Sequence, residues 1–62
     1  MTDDEVHRLR NAIYEVQMGA VEVNAFSVHN TTVDEGLAAA KRLAEAAATI
    51  TEIVQGAYNA SP

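Results

Sequence analysis

A helix-start pattern that occurs twice, 30 residues apart, constrains the fold of this 62-residue chain more than any other feature of its sequence. Residues 2–5 read Thr-Asp-Asp-Glu and residues 32–35 read Thr-Val-Asp-Glu. In such a capping box the Thr hydroxyl accepts a hydrogen bond from the backbone N–H of the Glu, and the Glu carboxylate accepts one from the N–H of the Thr. No proline interrupts the residues that follow, because Pro62 is the only one. The sequence therefore predicts two long helices.

The two helices are expected at about residues 3–28 and about residues 33–58, with a turn at about residues 29–32 between them. Asn30 is the expected left-handed residue, because Asn adopts that conformation more readily than most residues and helices often end in it. A connection this short makes the helices antiparallel neighbours. The predicted fold class is all-α, with residues 1–62 forming one antiparallel two-helix hairpin.

Helix 1 carries two apolar stripes. The first has the 3-4 spacing of a coiled-coil seam and consists of Val6, Leu9, Ile13, Val16, Ala20 and Val23. The second lies roughly 150° around the helix, at 100° per residue, and consists of Tyr14, Met18, Val21, Ala25 and Val28. We expect Leu9, Ile13 and Val16 to face helix 2. Because one neighbouring helix cannot cover both stripes, the second stripe is the predicted partner interface.

Helix 2 carries two adjacent apolar stripes that together form one arc approaching half of its circumference. One stripe consists of Leu37, Ala40, Ala44, Ala47, Val54 and Tyr58. The other consists of Ala39, Leu43, Ala46, Ile50, Ile53 and Ala57. Seven of the twelve alanines lie between residues 38 and 48, and alanine favours helix while letting two backbones approach closely. This part of helix 2 is expected to pack tightly against helix 1.

The chain is too short for a large core and has no cysteine. Disulfides and thiolate zinc sites, the usual stabilising devices of short chains, are therefore absent. Below about 70–80 residues a single core rarely supplies more than about 3–5 kcal/mol. We expect the hairpin to gain further stability by dimerising into a four-helix bundle or by docking into a larger helical assembly.

The residues that could carry catalysis or bind metal are widely spaced. His7 and His29 lie 22 residues apart, which is about 33 Å along one helix, so they cannot share a metal ion within one chain. Glu15 and Glu22 lie on one helical face, where we expect them to be solvated. No glycine-rich phosphate loop follows a strand, because no strand is predicted. The sequence therefore predicts no enzyme, no metal site and no cofactor.

The charge of the chain argues against nucleic acid as a partner. The formal net charge is −5, with four basic residues and a pI near 4.6, whereas nucleic-acid binders usually carry a basic patch and a high pI. Arg8 and Arg10 are the candidate contacts in that alternative. No stretch reaches the 18 apolar residues that a membrane span needs. The acidic start of the chain differs from a signal peptide, so the expected location is cytoplasmic.

In its length, its acidity and its helix–turn–helix layout the chain resembles the Rop family, small plasmid-encoded hairpins that dimerise into a four-helix bundle and bind paired RNA hairpins. The resemblance implies a bundle fold and assigns no site residues. The favoured function is a non-enzymatic protein–protein interaction module that associates with itself or with a partner protein. One alternative is a Rop-like dimeric regulatory protein that binds RNA or DNA through Arg8 and Arg10. Another is a small structural or accessory subunit of a phage or other multisubunit particle.

Overall fold

The computed structural model describes residues 1–61, so the last residue of the predicted domain, Pro62, lies outside the described residues. Two α-helices, α1 (Asp3–Ser27) and α2 (Val33–Ala60), pack against each other along their length. The prediction of an all-helical chain with two packed helices is confirmed. The molecule is elongated, with extents of 48 × 17 × 14 Å. Among the described residues, neither helix combines the length and the apolar character needed to span a lipid bilayer.

Both helices begin after the threonines that the sequence indicated, but the two starts differ. At α1 the capping box is complete: the Thr2 hydroxyl accepts from the Glu5 N–H at 3.2 Å, and the Glu5 carboxylate accepts from the Thr2 N–H at 3.0 Å. That backbone hydrogen bond from Thr2 lowers the pKa of Glu5. At α2 the Thr32 hydroxyl accepts from the Glu35 N–H at 3.2 Å, whereas the Glu35 carboxylate accepts from the Thr31 hydroxyl instead. Only half of the second box is formed.

The turn places His29, and not Asn30, in the left-handed conformation, with φ of 63°. The prediction for Asn30 was wrong because α1 ends at Ser27 and Val28 becomes its C-cap, which moves His29 into the next position. The His29 N–H donates to the Phe26 carbonyl at 3.0 Å, and the Asn30 N–H donates to the Ala25 carbonyl at 3.3 Å. These two bonds form a Schellman motif, which satisfies carbonyls at the end of the helix.

His29→Gly is expected to raise the free energy of unfolding by about 1 kcal/mol, because the left-handed conformation costs a residue with a Cβ roughly 1–2 kcal/mol and costs glycine almost nothing. Urea denaturation followed by circular dichroism, at one fixed protein concentration, measures the change. Asn30→Gly is the matched control, since its φ is not positive. Equal effects of the two substitutions would contradict the assigned turn geometry.

The buried seam between the helices is built mainly from small residues. In α1 the buried positions are Ala12 and Gly19, and in α2 they are Gly36, Ala39, Ala46 and Ile53. Leu9 and Val16 are half-buried, but Ile13 is 41% exposed. The expectation that Ile13 faces α2 is corrected: it lies beside the seam, because Ala12 takes the buried position and its small side chain lets the helices approach. The predicted stripe of α2 that runs from Ala39 to Ala57 does form the seam.

At two glycines the helices approach closely, and these contacts show that the helices are antiparallel. A Cβ on Gly19 would lie 3.1 Å from the Cβ and 3.2 Å from the backbone N of Leu43. A Cβ on Gly36 would lie 2.7 Å from Cγ of Phe26. From Gly19 to Phe26 the chain advances seven residues along α1, and from Leu43 to Gly36 it goes back seven along α2. This register fixes which residues of the two helices lie at the same height.

Candidate functional site

Large apolar side chains lie mostly on the surface of this hairpin, and small ones occupy most of its buried seam. Among the described residues the buried apolar positions are Ala12, Ala39, Ala46 and Ile53, three of which are alanines. The exposed large apolar residues are Met1, Ile13, Tyr14, Val21, Phe26, Val28, Val33, Leu37, Val54 and Tyr58. Single exposed apolar residues are ordinary, but contiguous ones mark interaction surfaces. The arrangement of these residues on the two helices therefore defines the candidate site.

One side of the hairpin is polar and is held together by an ion-pair cluster. The Arg42 guanidinium donates to the Glu15 carboxylate through Nε and to the Glu22 carboxylate at 2.6 Å through Nη1. The Glu15 hydrogen bond is the main reason why the pKa of Arg42 is raised. Arg8 and Glu45 line the same shallow groove. We call this side the polar flank. The side chains of Glu15 and Glu22 are partly exposed to solvent, as expected, and in addition both bind an arginine of the other helix.

On the opposite side of the hairpin, α2 carries a mainly apolar surface along its whole length. The outer positions of α2 on that side have the 3-4 spacing of a heptad repeat, lie about 100° from the seam, and are all exposed. They are Val33, Leu37, Ala40, Ala44, Ala47, Thr51, Val54 and Tyr58, which we call the α2 stripe. Val6, Ile13 and Ala20 of α1 lie on the same side of the seam and widen the surface. The α2 stripe and these three residues together form the apolar flank.

The α2 stripe is where the sequence prediction was incomplete. Six of its residues belong to the apolar arc that was expected to pack as one unit, yet within that arc it is the neighbouring stripe that is buried or half-buried against α1. Ala40, Ala44 and Ala47 are exposed, whereas Ala39 and Ala46 are buried. The signal was present in the spacing: two heptad stripes about 100° apart on one helix are too wide for a single neighbouring helix to cover. The outer stripe needs a second neighbour.

The predicted partner interface lies on the side of α1 that faces away from α2. Tyr14 is 56% exposed, Val21 63% and Val28 61%, while Met18 and Ala25 are half-buried. We call these five residues the α1 outer stripe. They lie roughly opposite the seam, as the helical period requires. Their role in binding stays a prediction.

The two arginines proposed for nucleic-acid contact do not form one patch. Arg8 lies on the polar flank beside Glu15 and Glu45. Arg10 is two residues further on, which is 200° around the helix, so it projects from another side. Within one chain they cannot contact the same phosphate group. Each arginine would need basic residues from another chain to form a nucleic-acid-binding patch.

The rest of the described surface offers shallow grooves. Within residues 1–61 no three His, Asp or Glu side chains lie close enough together to hold a metal ion. Both described arginine–carboxylate contacts belong to the Arg42 cluster on the polar flank. The apolar flank and the α1 outer stripe are therefore the candidate functional surfaces. Comparisons with protein-family models, with curated proteins and with solved structures give no match.

Proposed function

We propose that this chain is a non-enzymatic protein–protein interaction module whose exposed apolar helix faces bind a second copy or a partner protein. The observation that carries the proposal is the inverted distribution of side chains: the buried residues are mainly alanines and glycines, whereas Ile13, Leu37, Val54 and Tyr58 are exposed. A chain that works alone gains stability by burying its large apolar residues. A subunit of an assembly leaves its large apolar residues exposed and buries them against neighbouring subunits.

The exposed area supports the same proposal. The accessible surface of the hairpin is 4694 Å², whereas a compact protein of 6.6 kDa exposes about 3,900 Å². The excess of about 800 Å² equals the share that each partner contributes to a standard protein–protein interface. Association over one long face would bring the exposed area per chain to the value for a compact protein.

The hairpin has two separate apolar surfaces, and each can contact a different neighbouring protein. The apolar flank spans both helices, and the α1 outer stripe is separated from it by polar side chains such as Arg10 and Gln17. A subunit of a larger particle would use such an arrangement to contact neighbours on two sides. The division of Arg8 and Arg10 between different sides of α1 gives the nucleic-acid alternative no comparable support.

Val21→Asp is expected to weaken association through the α1 outer stripe at least about tenfold, because a contact at Val21 would bury a carboxylate without a partner. Sedimentation velocity from micromolar to millimolar protein measures it: the heaviest species of the wild type is expected to disappear in the variant. Val21 is 63% exposed, so the fold of the hairpin itself should be unaffected.

Asn11→Asp is the matched control, because it introduces the same carboxylate at an exposed position on the polar flank, outside both apolar surfaces. It is expected to leave the mass distribution unchanged. Equal effects of the two substitutions would show that the α1 outer stripe is not a binding face. A wild type that stays a fully helical monomer at every concentration would remove self-association from the proposed function.

A further inference from the structure

The side chains of the α2 stripe are arranged symmetrically by size about the middle of the helix. Its order is Val33, Leu37, Ala40, Ala44, Ala47, Thr51, Val54, Tyr58. Reading inward from both ends, large residues meet large ones, and the four central positions are small. The midpoint falls between Ala44 and Ala47. A stripe of this kind is complementary to a copy of itself running in the opposite direction.

We propose that two copies of this chain associate by packing their α2 stripes antiparallel about a two-fold axis between Ala44 and Ala47. The inference rests on the proposed function and names its first partner, a second copy. Ala44 lies opposite Ala47 of the second copy, Leu37 opposite Val54, and Val33 opposite Tyr58. The contact is isologous, as two-fold symmetry requires.

The small central residues decide how close the two copies come. At Ala44 and Ala47 no side-chain atom extends beyond Cβ, so the helix axes can approach to about 8 Å, the short end of the usual range. The larger residues at Leu37 and Val54 then fill the space towards both ends. The stripe covers 25 residue steps, about 38 Å of helix, which is long enough for an interface of standard size.

The same axis also suits α1. Gly19 lies level with Leu43, so the point between Ala44 and Ala47 is level with the backbone between Val16 and Gln17. Ile13 and Ala20 lie at equal distances on either side of that point. The two-fold axis therefore places Ile13 opposite Ala20 of the second copy, a large residue against a small one, beside the α2 contact. The same two-fold axis therefore pairs both helices of the apolar flank with their counterparts in the second copy.

Charge agrees with this arrangement. Lys41 and Glu52 lie at the outer margin of the α2 stripe. The two-fold axis brings Lys41 to within about 3 Å, measured along the helix axis, of the height of Glu52 in the second copy. Two such pairs of opposite charge would flank the contact. The Arg42 cluster stays on the outside of the pair of hairpins, and the α1 outer stripe remains open to a further partner.

Disulfide trapping tests the axis directly, because the chain has no cysteine of its own. In the antiparallel pair, two copies of Ala44 lie about 4.5 Å apart along the axis and two copies of Val54 about 26 Å apart. A disulfide requires Cα atoms within about 4.4–6.8 Å. Under mild oxidation Ala44→Cys is expected to form a covalent dimer and Val54→Cys is not, while mixing Leu37→Cys with Val54→Cys should give a mixed disulfide. Strong cross-linking of Val54→Cys with itself would overturn the antiparallel axis.

A second pair of variants tests the surface without a covalent bond. Ala44→Lys should raise the dimer dissociation constant on the order of 100-fold, because two charges enter the centre of an apolar contact. Ala38→Lys, the same change at an exposed position away from the stripe, should leave it unchanged. Dissociation constants from sedimentation equilibrium that do not differ between these variants would overturn the inference. Association that is lost in Val21→Asp but kept in Ala44→Lys would overturn it while leaving the proposed function intact.

Discussion

Ile53→Ala is expected to lower the free energy of unfolding by about 2–5 kcal/mol, the usual cost of truncating a buried isoleucine. Among the described residues Ile53 is the one large apolar side chain that is buried, at 4% exposure. The other buried apolar positions, Ala12, Ala39 and Ala46, are alanines. Because a core of this size supplies only about 3–5 kcal/mol, the variant should lose most of its helicity at 25 °C, as measured by circular dichroism.

Val21→Ala is the matched control for that prediction. It also truncates a branched apolar residue to alanine, but Val21 is 63% exposed, so the change should stay within about 0.5 kcal/mol. Both variants must be compared at one protein concentration, low enough for the chain to be monomeric, because Val21 belongs to the α1 outer stripe and association makes the apparent stability concentration-dependent. Equal losses at Ile53 and Val21 would mean that the seam does not hold the core of the hairpin.

Gly36→Ala is expected to cost about 2 kcal/mol, even though alanine is the better helix former by about 1 kcal/mol. The added Cβ would lie 2.7 Å from Cγ and 2.8 Å from Cδ2 of the Phe26 ring. Cγ is attached directly to the Cβ of Phe26, so a rotation of the ring cannot clear it, and the side chain or the turn must shift. Overpacking of this kind costs typically about 1–3 kcal/mol. Thermal unfolding should move down by about 8–16 °C.

Gly56→Ala is the control, because a Cβ there meets nothing within 4 Å. It should gain about 1 kcal/mol from helix propensity alone. The double variant Gly36→Ala with Phe26→Ala completes the test: if the ring causes the loss, the two changes are not additive and the double variant is more stable than the sum predicts. Additive effects would show that the contact of Phe26 with Gly36 is not the cause.

The parts of the fold that depend on neighbouring residues could be predicted from the sequence. The threonines before the two helices act through hydrogen bonds to residues three positions on, so their roles were visible in the pattern. The limits of such reasoning appear at the turn. α1 ends one residue earlier than expected, so His29 takes the left-handed position that was expected for Asn30. The Glu35 carboxylate likewise bonded to Thr31 in place of its expected partner.

By itself the sequence determined that there are two helices, where they start, and that their apolar surface exceeds what one contact can bury, because helix capping and the 3.6-residue period act within one helix. Only the tertiary structure decided which stripes meet. Spacing allowed both stripes of α2 to face α1, but the close approaches at Gly19 and Gly36 admit one register, which buries Ala12 and leaves Ile13 exposed. The same register pairs Arg42 with Glu15 and Glu22 and turns the α2 stripe outward. Packing depends on the sizes of residues distant in the chain, so the free surface becomes visible only when both helices are in place.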